Sequence, residues 1–242
     1  MIERKESMAQ LPLALRYPPD QRLETFVRAP EGAIEQLRAF ATQEAEGPRL
    51  SGADALYLAG PAGVGKTHLL LATCAAAEAA GRRAAYLPLV AAAGRLREAL
   101  DALEGNHVIA LDGLDVIAGN REDETALFDL HNRARAAGVG LLYAARANPE
   151  ALPLSLPDLR SRLGQCTRIA LATLDDEGRR EVLQQRAERR GLQLEGAALD
   201  WLLARMDRDL RGLAALLDQL DRASLAAQRR LTVPFLRKLL AR

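Results

Sequence analysis

The sequence is short of cysteine, of lysine and of net charge, and each shortage closes off a class of protein. Cys74 and Cys166 are the only cysteines. They stand far apart among apolar or small neighbours, so there is neither a disulfide framework nor a cysteine metal spacing, and a reducing compartment is expected. His68, His107 and His131 are scattered without ligand spacing, and no serine sits in a Gly-x-Ser-x-Gly setting. Thirty-three basic side chains face thirty-two acidic ones, which argues against a protein that holds nucleic acid mainly by bulk charge. Lysine occurs only at Lys5, Lys66 and Lys238. Arginine supplies the rest of the positive charge in a chain also rich in alanine and leucine, so an arginine carries weight only where its position does. No apolar run approaches the roughly 20 residues of a membrane span. The start, MIERKESMAQ, has charges but no apolar h-region behind it, so a cytoplasmic protein without membrane association is expected.

What is present is a globular balance: 242 residues with 49% hydrophobic and 27% charged side chains, enough for one sizeable domain with a small appendage. Residues 1–22 are expected to form a flexible tail. Within it QLPLALRYPPD (10–20) sets leucines at alternate positions among prolines, which favours an extended segment. Ile34, Leu37 and Phe40 are spaced as one face of a helix between Glu31 and Glu46. Short apolar runs follow at 55–60, 84–89, 107–112, 140–145 and 167–172, separated by helical stretches near 66–80, 94–104, 122–137 and 156–163. That alternation predicts an α/β fold, a five-stranded parallel sheet covered on both faces, over residues 23–172. From Thr173 the apolar runs stop, and four helical patterns predict a small all-helical domain over 173–242. In its last helix Thr232 is the expected N-cap and Pro234 sits in the first turn.

The sharpest local signal is GPAGVGKT, Gly60–Thr67, between the run ALYLAG and the helical HLLLATC. This is a phosphate-binding loop in the strand–loop–helix setting that it requires. Glycines let backbone N–H groups turn inward, and the helix N-terminus adds partial positive charge. Gly60, Pro61, Ala62, Gly63, Val64, Gly65, Lys66, Thr67 and His68 are therefore candidate nucleotide contacts, with Lys66 reaching the terminal phosphates and the Thr67 hydroxyl on Mg²⁺. Asp112, ending the run HVIALD, is the candidate second metal residue. Many ATPases place another acid next to it to orient water; here that position is Gly113, with Asp115 read as a solvated aspartate. ADP or ATP binding is thus better supported than hydrolysis. Two arginines have positional arguments, each set against a plain solvated helix arginine: Arg162 in SLPDLRSRLG, where ATPases with helical lids often project an arginine toward a neighbouring subunit's nucleotide, and Arg211 in MDRDLRGL, where one can fold back on the chain's own. Arg160 lies close enough to Arg162 to be mistaken for it. Trp201, in an apolar helical pattern, is read as core.

Four stretches together, QLPLAL, FDLHNRARAAG (128–138), LPDLRSRL (156–163) and LDQLDRASLAAQRRLTVPFLRKLL (217–240), resemble the AAA+ ATPases of the bacterial replication-initiator group, and within it the regulators that inactivate the initiator DnaA. The resemblance runs from about Gln10 to the end and implies an AAA+ core with a helical lid. It implies that QLPLAL is similar to the peptide that docks on the DNA polymerase III sliding clamp, matching at Gln10, Leu11, Leu13 and Leu15. It implies that Arg162 is an arginine finger acting in trans on ATP bound to DnaA, that Arg211 is the residue reading the chain's own nucleotide, and that DNA is met mainly through the clamp. Such members resemble nucleotide-bound adaptors with weak or no hydrolysis of their own, and the finger geometry allows head-to-tail self-association. The DNA-reading helix-turn-helix domain that follows the lid in DnaA is expected to be absent. The family usually shows a polar sensor after the fourth strand, where this chain has Ala144, Ala145 and Arg146. The readings left beside this one are an autonomous ATPase serving as a helicase loader, a DnaA-like origin factor and, on the phosphate loop alone, a small-molecule kinase.

Overall fold

A computed structural model of the chain describes residues 21–42, 55–192, 194–205 and 232–240. The five predicted runs are strands: β1 Ala55–Ala59, β2 Ala84–Pro88, β3 Val108–Asp112, β4 Gly140–Ala145 and β5 Thr167–Ala170. They form one parallel sheet in the order β2-β3-β4-β1-β5. Between them run α2 Lys66–Ala79, α3 Leu96–Asp101, α4 Arg121–Ala137 and α5 Pro157–Gly164, with α1 Ala33–Thr42 ahead of the sheet. Asn120 caps α4, its side chain accepting from the N–H groups of Glu122 and Asp123, and Gly138 ends it in a left-handed conformation, which glycine adopts without steric cost.

Period-two alternation in the strands divides the core. Tyr57, Ile109, Leu111, Leu141 and Tyr143 point to the face covered by α3, α4 and α5. Leu56, Leu58, Val108, Ala110, Leu142 and Ile169 point to the face covered by α1 and α2. Nearly every strand position is therefore apolar, as in a sheet buried on both sides. Across the carboxyl edge the register aligns Pro88 with Asp112, Asp112 with Ala144, and Ala59 with both Ala145 and Ala170. The segments that follow β1, β3, β4 and β5 accordingly leave the sheet side by side. In open α/β sheets this edge is where ligands bind.

After β5 the chain is helical in α6 Asp176–Arg189, α7 Gly196–Leu203 and α8 Val233–Leu240. Leu183, Ala187, Leu199, Leu202 and Leu236 form a separate small core. Trp201 is half-buried at its rim, with the Arg205 guanidinium 4.2 Å from its ring centroid, so it seals that core rather than filling it. The third predicted helical pattern and residues 1–20 of the tail, with the clamp-type peptide, lie outside the described residues. Among the described residues no helix is long and apolar enough to cross a membrane, and no cluster of histidine, cysteine, aspartate and glutamate has metal-binding geometry.

Candidate functional site

The loop Gly60–Gly65 leaves β1 at the carboxyl edge, between β4 and β5, and turns into α2. Two glycines are required by geometry. A Cβ at Gly60 would stand 2.3 Å from the Leu171 carbonyl oxygen, because the strand end is laid against the chain leaving β5. Gly65 has φ +96, and a Cβ there would meet the Phe26 ring at 2.6 Å. The N–H of Gly60 donates to the Ala145 carbonyl at 3.2 Å, tying the loop to β4. Pro61 and Ala62 are exposed, Gly63 (φ +80) is half-buried and Val64 is packed into the core below.

Lys66 opens α2 and its Nζ donates to the Gly60 and Pro61 carbonyls at 2.6 Å each, so the ammonium is held over the loop. Next to it the Thr67 hydroxyl donates to Asp112 Oδ2 at 2.6 Å, and the Tyr86 hydroxyl reaches the same oxygen at 2.9 Å. Burial and the Asp112 charge together raise the Tyr86 phenol well above its ordinary value, so it stays a donor at any physiological pH. Thr67 and Asp112, 45 positions apart in sequence, thus meet beside Lys66. Their hydroxyl and carboxylate oxygens are the hard donors that Mg²⁺ takes beside a phosphate, so the residues present fit the expected ion.

His68 is buried, and its role differs from a simple phosphate contact. Its Nε2 lies 2.9 Å from the Arg22 carbonyl and 3.3 Å from Thr25 Oγ1, and its ring meets Phe26 edge-on at 5.4 Å. It fastens the segment before α1 onto α2. That segment walls a cavity of about 350 Å³ reached by Thr25–Pro30 on one side, Val64, Gly65 and His68 below, and Leu174, Val182 and Arg186 of the helical domain opposite. The wall is latched: Arg28, at φ 52, ion-pairs with Asp175, Glu177 and Glu181 at 3.0 to 3.2 Å. A mostly apolar cavity beside a phosphate loop has the size and lining for a nucleobase.

Gly113 has φ 86 and its N–H donates to the Ala144 carbonyl. Asp115 is not simply solvated: both its oxygens accept the N–H of Arg146 at 3.0 Å. It braces the turn after β4. The Arg146 side chain is exposed, while Ala144 and Ala145 are buried.

Arg162 stands apart from this edge, in the last turn of α5, which packs on α4 through Leu159 and Leu163. Two residues earlier, the Arg160 guanidinium donates to the Leu154 carbonyl. The half-buried Arg162 guanidinium has no hydrogen-bond or ion-pair partner among the described residues. Its charge is felt by buried His131 on α4, whose imidazole is held below its ordinary value by burial first and then by Arg162 and Arg135. His131 Nδ1 lies 3.0 Å from the Tyr143 hydroxyl. Arg211, Gln10, Leu11, Leu13 and Leu15 lie outside the described residues.

Sequence reasoning missed Tyr86, Asp123 and Glu124. Asp123 accepts from the N–H groups of Gly94 and Leu96, and Glu124 from those of Gly119, Ser155 and Leu156. The available signal was two acids in the first turn of a helix whose apolar stripe they share; both are buried.

Residues 176–240 match the family model described as Hda, lid domain. Residues 56–174 match that of the ATPase family associated with various cellular activities, AAA. Among solved structures, the chain is similar to domain III of the replication initiation protein DnaA from Thermotoga maritima, with a TM-score of 0.75, 20% identity, and coverage of 96% of this chain and 98% of that one. AMPPCP-bound DnaA from Aquifex aeolicus is similar at TM-score 0.66 and 21% identity, over 82% of this chain and 64% of that one. The Holliday junction branch migration motor RuvB of Thermotoga maritima gives 0.65 at 20% identity, over 93% and 72%. At these identities the structural likeness is one of fold.

Proposed function

Because the chain belongs to the Hda/DnaA-like family of AAA+ ATPases, we propose that it is a nucleotide-bound regulator that promotes hydrolysis of ATP held by DnaA, limiting re-initiation of replication. The observation that carries this reading is the pair on α5: the Arg160 guanidinium is tied to the Leu154 carbonyl, and that of Arg162 has no partner among the described residues, on a helix held by buried leucines. An unpaired guanidinium on a rigid element suits a group offered to another molecule's phosphates, where an arginine finger stabilises the charge of the transferring phosphoryl group.

In this reading ADP or ATP sits with its phosphates on the N–H groups of Ala62–His68 and its base in the cavity between Phe26 and α6. Lys66 supplies positive charge once it releases the Gly60 and Pro61 carbonyls. Thr67 and Asp112 would hold a Mg²⁺, which would supply charge neutralisation at the phosphates. Arg211 reads the nucleotide from the lid. Gly113 leaves no acid beside Asp112 to orient an attacking water, and Asp115 is committed to the Arg146 N–H, so turnover by the chain alone is weak. Residues 1–22 carry the clamp-docking peptide through Gln10, Leu11, Leu13 and Leu15, with alternate leucines filling an apolar pocket; residues 23–172 are the nucleotide-binding domain and 173–242 the lid. DNA is met mainly through the sliding clamp, in the cytoplasm.

The test uses DnaA loaded with labelled ATP, clamp-loaded DNA and this chain with or without residues 10–15. Fast conversion to ADP that requires the clamp, residues 10–15 and Arg162 is expected. Turnover of ATP by this chain alone, without effect on DnaA, would overturn the reading in favour of an autonomous loader-type ATPase.

A further inference from the structure

Glu124 lies in the first turn of α4 and has no exposure to solvent. A buried carboxylate is costly unless its lone pairs are used, and here four donors use them. The N–H groups of Gly119 and Leu156 approach at 2.7 and 2.6 Å, and the N–H and hydroxyl of Ser155 both at 3.0 Å. Burial alone would push this carboxyl up; the N–H groups of Ser155, Gly119 and Leu156 and the Ser155 hydroxyl outweigh it and hold the group below its ordinary value.

Three of those four donors belong to the two residues that lead into α5. Leu156 is the residue before its first turn, Pro157 has no N–H, and no side chain within α5 caps the helix. The Glu124 carboxylate therefore does from another helix what the acid of a capping box does locally, accepting the N–H of the N-cap residue, with its charge at the favourable end of the helix dipole. Beyond that anchor, α5 is gripped by Leu159 and Leu163, both 0% exposed, and by the bond from Arg160 to the Leu154 carbonyl. Arg162 emerges from the last turn of this short helix.

We propose that Glu124 is the positioning residue for Arg162: by fixing where α5 begins, through Ser155 and Leu156, it fixes where the guanidinium in the last turn points. The assignment rests on Arg162 being the arginine finger. At a rise of 1.5 Å per residue, Arg162 stands about 9 Å along the axis from Leu156, so a tilt of about 10° at the anchor displaces it by about 1.5 Å. A displacement of about 1 Å in a group that must meet a transition state costs on the order of 100-fold in rate.

The experiment is the DnaA–ATP conversion assay with the full chain and clamp-loaded DNA. Glu124→Gln keeps the size of the side chain but turns an acceptor into a donor facing N–H groups. It is expected to lower the maximal stimulated rate about 10- to 100-fold. The concentration giving half-maximal stimulation, and the affinity for ADP with Mg²⁺, are expected to stay within about twofold, since neither depends on the finger. Added to Arg162→Ala, Glu124→Gln should lower the residual rate no further. A wild-type maximal rate, a parallel loss of half-saturation and rate, or a loss that multiplies with that of Arg162→Ala would each overturn the assignment. If Glu124→Gln does not fold, Ser155→Ala decides, since it removes only the hydroxyl bond of an exposed residue. A loss of about 3- to 10-fold in maximal rate at unchanged half-saturation supports the assignment, and a wild-type rate overturns it. Full stimulation by Arg162→Ala itself would instead sink the finger reading. An inactive Arg162→Ala beside a normal Glu124→Gln would sink only the role of Glu124.

Discussion

At the carboxyl edge of the sheet, Thr67 and Tyr86 share one oxygen of Asp112, Asp115 holds the Arg146 N–H, and Lys66 lies on carbonyls of its own loop. On α5 the pattern breaks within two residues, Arg160 being anchored to Leu154 and the Arg162 guanidinium having no partner among the described residues. The first region ties its polar groups to one another around the phosphate loop; the second keeps a helix rigid with one half-buried charge that no described residue pairs. The proposed activation of another ATPase calls for that combination: a site that holds the chain's own nucleotide and, apart from it, a charge left for a second molecule.

The largest test of that contrast exchanges the two arginines. Arg162→Ala should lower stimulated hydrolysis on DnaA by about 10³-fold or more while leaving thermal unfolding unchanged. Arg160→Ala should do the reverse, losing a bond from a charged donor, about 1.5–3 kcal/mol of stability, and keeping most of the stimulation once folded. Equal effects from both would erase the distinction.

Nucleotide affinity is the next largest effect. Lys66→Ala removes the charged donor of the loop and should weaken ADP binding by roughly 100-fold, as expected for one or two charge-assisted bonds. Gly65→Ala should act by another route. Its left-handed backbone costs an alanine about 1–2 kcal/mol, and the Phe26 ring 2.6 Å from the new Cβ must move, so the base cavity should open. Fluorescent-ADP titration separates the two if only Gly65→Ala also releases the segment before α1 to proteolysis. A smaller effect belongs to Tyr86→Phe. It removes a bond to Asp112, so the free protein should lose about 1–2 kcal/mol. The stabilisation gained from ADP with Mg²⁺ should then grow, because the carboxylate has less to give up on binding.

How much of this was legible in the sequence follows from how local each signal is. The strands and α2 to α5 were readable because apolar runs and helical spacing are properties of neighbouring residues, and the phosphate loop because its glycines and Lys66 are contiguous. The short helical turn at Leu89–Ala91 and the breadth of the lid core were not, since both depend on what packs from elsewhere. His68 looked like a loop contact because it follows Thr67; only the fold shows its ring turned to Arg22 and Thr25. Glu124 and Asp123 read as ordinary acids at a helix start, where such residues favour the dipole. Their partners lie in loops up to 32 positions away, and no spacing rule reaches that far.

The smallest predicted effect tests whether Arg162 stands where the fold puts it. His131 is buried, and its imidazole is held below the usual 6.5 by that burial and then by the charges of Arg162 and Arg135. An unfolded chain binds the proton near the ordinary value and the folded chain only at lower pH. Stability from the neutral ring is therefore complete above about pH 6.5 and declines as pH falls through the interval down to the folded value. Removing the Arg162 charge should raise the imidazole toward its ordinary value, narrow that interval and flatten the acid-side loss of stability by less than about 1 kcal/mol. NMR titration of the His131 ring in Arg162→Ala, beside urea unfolding at about pH 7 and about pH 5.5, measures both halves of the argument. An unchanged titration would mean that the guanidinium spends its time away from α4, and the rigid presentation on which the trans role depends would have to be given up.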